Sequence, residues 1–254
     1  MITIENLHFK YTTDFSLSAD KVVFEKEKVY SIIGPNGAGK STFFKILIQD
    51  LKNYEGVVTV VGKPLSHYTI PRLRSVMGYC GSEKILNLNF SVYEFVSLGF
   101  FLQTGLFGLL GKAQKERILQ LLNDFDLSHL RERNLFELSA GEMKRVRLCK
   151  SMVTQPEILI IDEPEEHLDL YHIHRVFEKL TKEYGAGTGR TLIFSTHNIN
   201  IASKFSDNML IFKQGEVLYA GATQMGITED NLSELYNYTG TVIKWPDGKK
   251  RFVY

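Results

Sequence analysis

With 254 residues, 44% of them apolar, the chain can bury a sizeable core as one large domain or two small ones. Its 30 basic and 29 acidic residues are interspersed and leave a net charge of +1, so nothing in the charge announces a nucleic-acid partner. Two cysteines, Cys80 and Cys149, make neither a disulfide framework nor a metal spacing and fit a reducing compartment with free thiols.

The chain opens without a basic segment followed by an apolar core, so no signal peptide is expected. Residues 1–30 alternate apolar and polar (Ile2, Ile4, Leu7, Phe9, Tyr11, then Val22 and Phe24), which is strand spacing. Val29 to Ile33 then reads as a buried strand and Thr42 to Leu47 as the first turns of a helix. Between them lies Gly34-Pro35-Asn36-Gly37-Ala38-Gly39-Lys40-Ser41, which fits G-x-x-x-x-G-K-[ST]. Glycines let the chain curl around an anion and present successive N–H groups to it. The helix N-terminus adds a partial positive charge, Lys40 a full one, and the Ser41 hydroxyl can ligate Mg²⁺.

Val57 to Val61 reads as a further strand, ended by Gly62-Lys63-Pro64. Between Lys84 and Lys112 the only charge is Glu94. A membrane-spanning helix needs about 20 consecutive apolar residues. Gln103, Thr104 and several glycines interrupt this one, so it reads as a core helix plus an apolar loop, part of which faces a partner. The pattern is helical from Ile85 to about Thr154, with Ile118, Leu121, Leu122 and Phe125 on one face. Within it, Leu138-Ser139-Ala140-Gly141-Glu142 opens a basic helix. Ser139 and Glu142 have the spacing of a capping box, and a helix N-terminus after a small-residue turn is also an anion site.

Ile158 to Ile161 is a buried strand with Asp162 and Glu163 at its C-terminal end, where open α/β sheets bind ligands. One acid there can hold Mg²⁺ through a water, and its neighbour can polarise an attacking water. A helix from Leu170 to Tyr184 has Gly185 and Gly187 as candidate caps. The strand Thr191 to Ser195 leads into Thr196-His197-Asn198, and a histidine at a strand tip can donate to a phosphate oxygen. Asn208 to Phe212 and Val217 to Tyr219 read as strands, and the tail from Thr241 as two short strands around Pro246-Asp247-Gly248. The expected fold is α/β: a phosphate-loop core with a mostly parallel sheet, flanking helices and an antiparallel β part, interrupted by a helical insert. The expected division is a core of residues 1–84 and 155–221, a helical subdomain of residues 85–154 and a C-terminal extension of residues 222–254.

Together these motifs, in this order and spacing, resemble the ATP-binding-cassette ATPases over essentially the whole chain. Gly34–Ser41 is similar to that family's Walker A, Ile158–Glu163 to its Walker B, Leu138–Glu142 to its signature, Leu168-Asp169 to its D-loop and His197 to its switch histidine. Tyr11 falls where the family stacks an aromatic on adenine. The resemblance implies ATP held by Tyr11, by Gly34, Pro35, Asn36, Gly37, Ala38, Gly39, Lys40, Ser41 and Thr42, and, from a second copy packed head to tail, by Ser139, Gly141 and Glu142. It implies Glu163 as the base that activates water, His197 holding the γ-phosphate, and Mg²⁺ on Ser41, on Asp162 through water and at the loop of Ser82.

The chain departs from the family where Ser82 stands for the usual glutamine, and where Ala140 and Glu142 stand for glycine and glutamine. Glu142 brings a negative charge towards a phosphate site, which makes a capping role attractive. Phe90–Gly99 and the tail from Thr228 resemble the ATPases of importers for iron–siderophore, haem or cobalamin. Such a subunit sits on the cytoplasmic face of the membrane. It works with transmembrane permease subunits and a solute-binding protein, without direct contact to nucleic acid. An exporter ATPase and a soluble non-transport cassette are the alternative functions. Cassettes of translation usually come two to a chain, those of DNA repair carry a long coiled coil, and phosphate-loop kinases lack the signature.

Overall fold

In the computed structural model, residues 1–11, 15–81, 89–105, 109–236 and 240–253 are described. A ten-stranded sheet runs through the molecule in the order Lys63–Pro64, Tyr54–Val60, Ile2–Lys10, Ser16–Phe24, Glu216–Ala222, Asn208–Lys213, Val29–Ile33, Thr191–Thr196, Ile158–Ile161, Met77–Cys80. From Asn208–Lys213 to Met77–Cys80 every neighbouring pair is parallel. The first four strands pair antiparallel, as does the Asn208–Lys213/Glu216–Ala222 pair. The expected mixed α/β architecture is therefore present.

The alternation in the first 30 residues resolves into Ile2–Lys10 and Ser16–Phe24, with Ile2, Ile4, Leu7, Leu17, Val22 and Phe24 buried on one face. The strand expected from Val57 starts earlier, at Tyr54. It ends at Val60, before Gly62-Lys63-Pro64 as expected, and Lys63 and Pro64 fold back on it, because Val61 and Gly62 both take positive φ and make the tight turn. The sequence pattern does not announce the helices Ile70–Val76, Ile199–Phe205 and Glu229–Tyr236 or the edge strand Met77–Cys80. Met-Gly-Tyr-Cys has little strand propensity of its own and is held by its ladder to Ile158–Ile161.

The central strands Val29–Ile33, Ile158–Ile161 and Thr191–Thr196 are buried throughout, as continuous apolar runs in a covered parallel sheet should be. One apolar cluster packs the helix Lys40–Leu47 through Phe43, Phe44, Ile46 and Leu47 against the antiparallel side. A second joins the opposite face of the central strands to the helices Val92–Ser97, Lys112–Asp124, Ala140–Met152 and Leu170–Glu183. Ile118, Leu121, Leu122 and Phe125 form the buried face expected of the helical stretch. A third holds the tail, where Ile199, Ile227, Leu232 and Phe252 pack together. The strands Thr241–Lys244 and Lys250–Val253 pair antiparallel around Pro246, Asp247 and Gly248.

Apolar Phe95 to Leu102 becomes the helix Val92–Ser97, a 3₁₀ turn Leu98–Phe100 and a short helix Phe101–Thr104. Phe95, Val96 and Phe100 are buried, whereas Phe101 and Leu102 are exposed and Leu109 is 95% exposed. Among the described residues no helix is long and apolar enough to cross a membrane. The helix Leu170–Glu183 stops at buried, extended Tyr184, and Gly185 (φ 123°), in the position just after it, turns the chain as a cap glycine is expected to.

Helix Lys112–Asp124 is joined to helix Leu170–Glu183 by charge as well as by apolar contact. The Arg117 guanidinium forks onto Glu183 at 2.5 and 3.0 Å, and Lys179 bridges Glu183 and Asp124 at 2.9 and 2.5 Å. Burial pushes the Glu183 carboxyl up, but Arg117 and Lys179 outweigh it and hold the group below the usual carboxylate range. Truncating Arg117 takes two charge-assisted hydrogen bonds from the buried Glu183 carboxylate and leaves it Lys179 alone. Arg117→Ala should therefore lower unfolding free energy by about 1.5–3 kcal/mol in a urea titration. A carboxyl depressed in the folded state stabilises it above its unfolded pKa, and that contribution is lost as pH falls through the lower folded value. The gap between wild type and Arg117→Ala should accordingly narrow below about pH 4.

Candidate functional site

Val29–Ile33, Thr191–Thr196 and Ile158–Ile161 run parallel with Ile33 opposite Thr196 and Ile161 opposite Phe194. The residues following each strand, Gly34, His197 and Asp162, therefore emerge at one edge of the sheet. After Ile33 the chain makes the glycine loop and enters the helix Lys40–Leu47. A Cβ on Gly34 would lie 2.5 Å from the Phe212 carbonyl oxygen, and Gly39 (φ 106°) makes the left-handed step into the helix. Both positions thus require the residue the motif supplies. The buried Lys40 ammonium donates to the carbonyls of Gly34 (2.7 Å) and Pro35 (3.3 Å) and lies 3.8 Å from the Glu163 carboxylate. Tyr11, Asn36, Gly37, Ala38, Gly39, Lys40, Ser41, Thr42 and Glu163 line one cleft of about 280 Å³, joined by Phe15.

Asp162 is buried and bridges two neighbours. Its Oδ2 accepts from the Ser41 hydroxyl at 2.7 Å and its Oδ1 from the Ser195 hydroxyl. The Glu163 N–H donates to the same Ser195 oxygen at 2.9 Å. Glu163 takes φ 47°, a left-handed conformation uncommon outside glycine. That turn brings its carboxylate back to the glycine loop, 26% exposed. His197 is 60% exposed, and its Nδ1 lies 4.0 Å from Glu163 and 3.9 Å from Glu165.

Ser139, Gly141 and Glu142 are elsewhere. With Ala140, Arg145, His167, Leu168, Asp169 and His172 they line a second cavity of about 430 Å³ that shares no residue with the first. Ser139 caps the helix Ala140–Met152. Its hydroxyl accepts from the Glu142 N–H, and the Glu142 carboxylate accepts from the Ser139 N–H and hydroxyl at 2.8 Å. The Ser139 N–H holds the Glu142 carboxyl below the usual range, with burial opposing. Both readings of the spacing are thus compatible: the box turns the charge onto the backbone before the helix and leaves the N-terminus facing the cavity. Asp169 caps the next helix by accepting from the His172 N–H at 2.8 Å. Ser82 lies outside the described residues.

The sequence pattern of the ABC transporter family matches residues 17–166, more than half of the chain. This chain belongs to the ABC transporter family. It is 31% identical to the hemin import ATP-binding protein HmuV of Shewanella denitrificans, over 87% of each chain. It is 29% identical to the iron(3+)-hydroxamate import ATP-binding protein FhuC of Bacillus subtilis, over 91% of this chain and 88% of the relative. An ABC transporter described as of metal-chelate type, solved in an inward-facing conformation, superposes with a TM-score of 0.82 at 21% identity, over 99% of this chain and 96% of that one, which shows the shared fold. The chain is an ATP-binding, ATP-hydrolysing subunit of that family.

Three residues of this ABC ATPase went unnoticed in the sequence. Phe15 stands 6.2 Å from Tyr11, centroid to centroid, in the cleft. Its signal was an aromatic four residues after Tyr11. Glu165, beside Thr196, is buried although it sits in a run of acids that reads as solvated. Lys144, on the signature helix, is buried and donates to the Asp162 carbonyl at 2.9 Å, with Glu166 at 3.9 Å. Nothing in a basic helix distinguishes the one lysine that turns inward. Lys144→Met should leave that carbonyl unpaired, lowering stability by about 1–3 kcal/mol in thermal unfolding. ATP hydrolysis should fall with it, because the strained turn into Glu163 loses its support.

Proposed function

We propose that this ABC ATPase drives import of a metal chelate (iron–siderophore, haem or cobalamin) from the cytoplasmic face of the membrane, as a peripheral subunit. The relatives named for hemin and iron(3+)-hydroxamate import support the cargo class. On this reading the chain divides into the catalytic core of residues 1–84 and 155–221, the helical subdomain of residues 85–154 and the extension of residues 222–254. The observation that carries the mechanism is the split of the motifs between two cavities of one chain. A helix N-terminus that faces away from its own phosphate loop can serve the loop of a second copy, packed head to tail.

Each residue then has a task its position suits. Tyr11 and Phe15 offer an aromatic wall to the base. The N–H groups of the loop and Lys40 hold the phosphates, with Lys40 exchanging its two carbonyls for phosphate oxygens. Ser139 and Gly141 of the second copy close over the γ-phosphate. Glu163 orients and deprotonates the attacking water, and His197 donates to the γ-phosphate.

The donor set suits Mg²⁺: the Ser41 hydroxyl and the Asp162 carboxylate are hard oxygens within 2.7 Å of each other. Among the described residues no group of three His, Cys, Asp or Glu could hold a metal by itself, so the remaining ligands would be water and phosphate oxygens. When bound, Mg²⁺ neutralises charge that builds on the phosphate oxygens. Exposed Phe101, Leu102, Leu109 and Phe136 supply an apolar surface for transmembrane permease subunits, which a solute-binding protein would feed.

Glu163→Gln should bind ATP as wild type does yet hydrolyse it about 10²–10⁴ times more slowly. It should elute as a dimer in light-scattering chromatography with MgATP and as a monomer without nucleotide. Wild-type turnover would remove Glu163 from the base's role. Deleting the gene should abolish uptake of one radiolabelled cargo among iron–siderophore, haem and cobalamin. Normal uptake of all three would refute the cargo assignment.

A further inference from the structure

Glu165 has a side chain only 6% exposed, and its Oε2 meets no hydrogen-bond partner. Its Oε1 accepts from the Thr196 hydroxyl, which in turn accepts from the Asn198 N–H at 3.0 Å. These contacts fix the carboxyl between the loop after Ile158–Ile161 and the start of the helix Ile199–Phe205. Burial pushes the carboxyl above the usual range, Thr196 and His197 pull against it, and the Glu163 charge adds to the rise. A buried acid with one oxygen unpartnered is costly, and its other oxygen, Oε1, still has a lone pair beyond the one that Thr196 uses.

The imidazole is the group within reach. His197 Nδ1 stands 3.9 Å from Oε1, less than 1 Å beyond hydrogen-bond range, and the ring, 60% exposed, has room to turn toward it. Glu163 is as near, at 4.0 Å, but it is more exposed and already faces the Lys40 ammonium at 3.8 Å. From the tail, the Tyr236 hydroxyl donates to the His197 carbonyl at 3.1 Å, so the ring turns from an anchored backbone.

We propose that Glu165 is the positioning residue for His197, its carboxyl sharing one proton with Nδ1 so that Nε2–H is the free donor of the ring. With the proton on nitrogen the pair is a carboxylate and an imidazolium. With the proton on oxygen it is a carboxylic acid donating to a neutral imidazole. Both forms carry hydrogen on Nε2, the form a phosphate oxygen needs. As pH rises past the pair's own midpoint the shared proton leaves and that donor is no longer secured. This builds on the reading of His197 as the phosphate-holding residue and leaves Glu163 free to act on water.

The test uses the full chain without nucleotide, labelled with ¹⁵N-histidine, the His197 signal being assigned by its loss in His197→Ala. Long-range ¹⁵N–¹H spectra are followed from about pH 5 to 9, on either side of the ordinary histidine value. Glu165→Gln should lower the His197 midpoint by about half a unit, roughly threefold in protonation constant, the scale of a half-exposed pair. Glu165→Asp, which keeps the charge, should restore part of the shift, and Glu163→Gln should move the midpoint less. An unchanged midpoint in a folded Glu165→Gln, or an equal or larger shift in Glu163→Gln, overturns the proposal. If the pairing is seen but His197→Ala hydrolyses ATP at the wild-type rate, the pairing stands and the catalytic reading of His197 falls.

Discussion

The buried Asp162 carboxylate is the tie on which the site depends. It accepts from Ser41, at the start of the phosphate-loop helix, and from Ser195, near the end of the neighbouring strand. Its own N–H donates to the Cys80 carbonyl on the edge strand, and its own carbonyl accepts from Lys144. One residue thus ties the glycine loop, two strand ends and the signature helix. A carboxyl group in so dry a place is tolerable because both of its oxygens accept hydrogen bonds. Parallel pairing makes the convergence possible, since strands that run the same way deliver their following residues to a common edge.

The local chemistry of this site was legible, and its long-range contacts were not. Glycines 34 and 39, Lys40 and Ser41 announce their task because tight curvature and a helix N-terminus are properties of neighbouring residues. Ser139 and Glu142 likewise declare a capping box within four residues. Glu165 and Lys144 declare nothing. Each is a charged residue in a charged stretch, and its burial comes from partners 31 and 18 positions away. Met77–Cys80 escaped for the same reason, as a strand made by its neighbour rather than by its own side chains.

Glu142 shows how a charge that looks wrong for a site can be neutral to it. An acid near a phosphate should repel it, and a glutamine would not. Here the carboxylate turns back onto the Ser139 N–H and hydroxyl, where it satisfies donors that the first turn leaves open. The charge sits at the positive end of the helix dipole and is stabilised there. The neighbouring Arg145 lines the same cavity, so the field at the helix start is not set by the acid alone.

The helices between residues 92 and 152 meet the rest of the molecule at contacts of two kinds. At the site, Lys144 holds the turn from Asp162 into Glu163. Further out, the charge network of Arg117, Asp124, Lys179 and Glu183 locks helix Lys112–Asp124 to helix Leu170–Glu183. Breaking either would strand a buried polar group, so these helices are held at both ends by contacts that resist partial loosening. The exposed apolar residues Phe101, Leu102 and Leu109 sit on this same body. A partner seated on them therefore presses on a unit whose inner end touches the backbone of the catalytic acids. Among the described residues, the connection from the phosphate site to these helices is built from packed side chains and ion pairs, contacts of the kind that can carry a displacement.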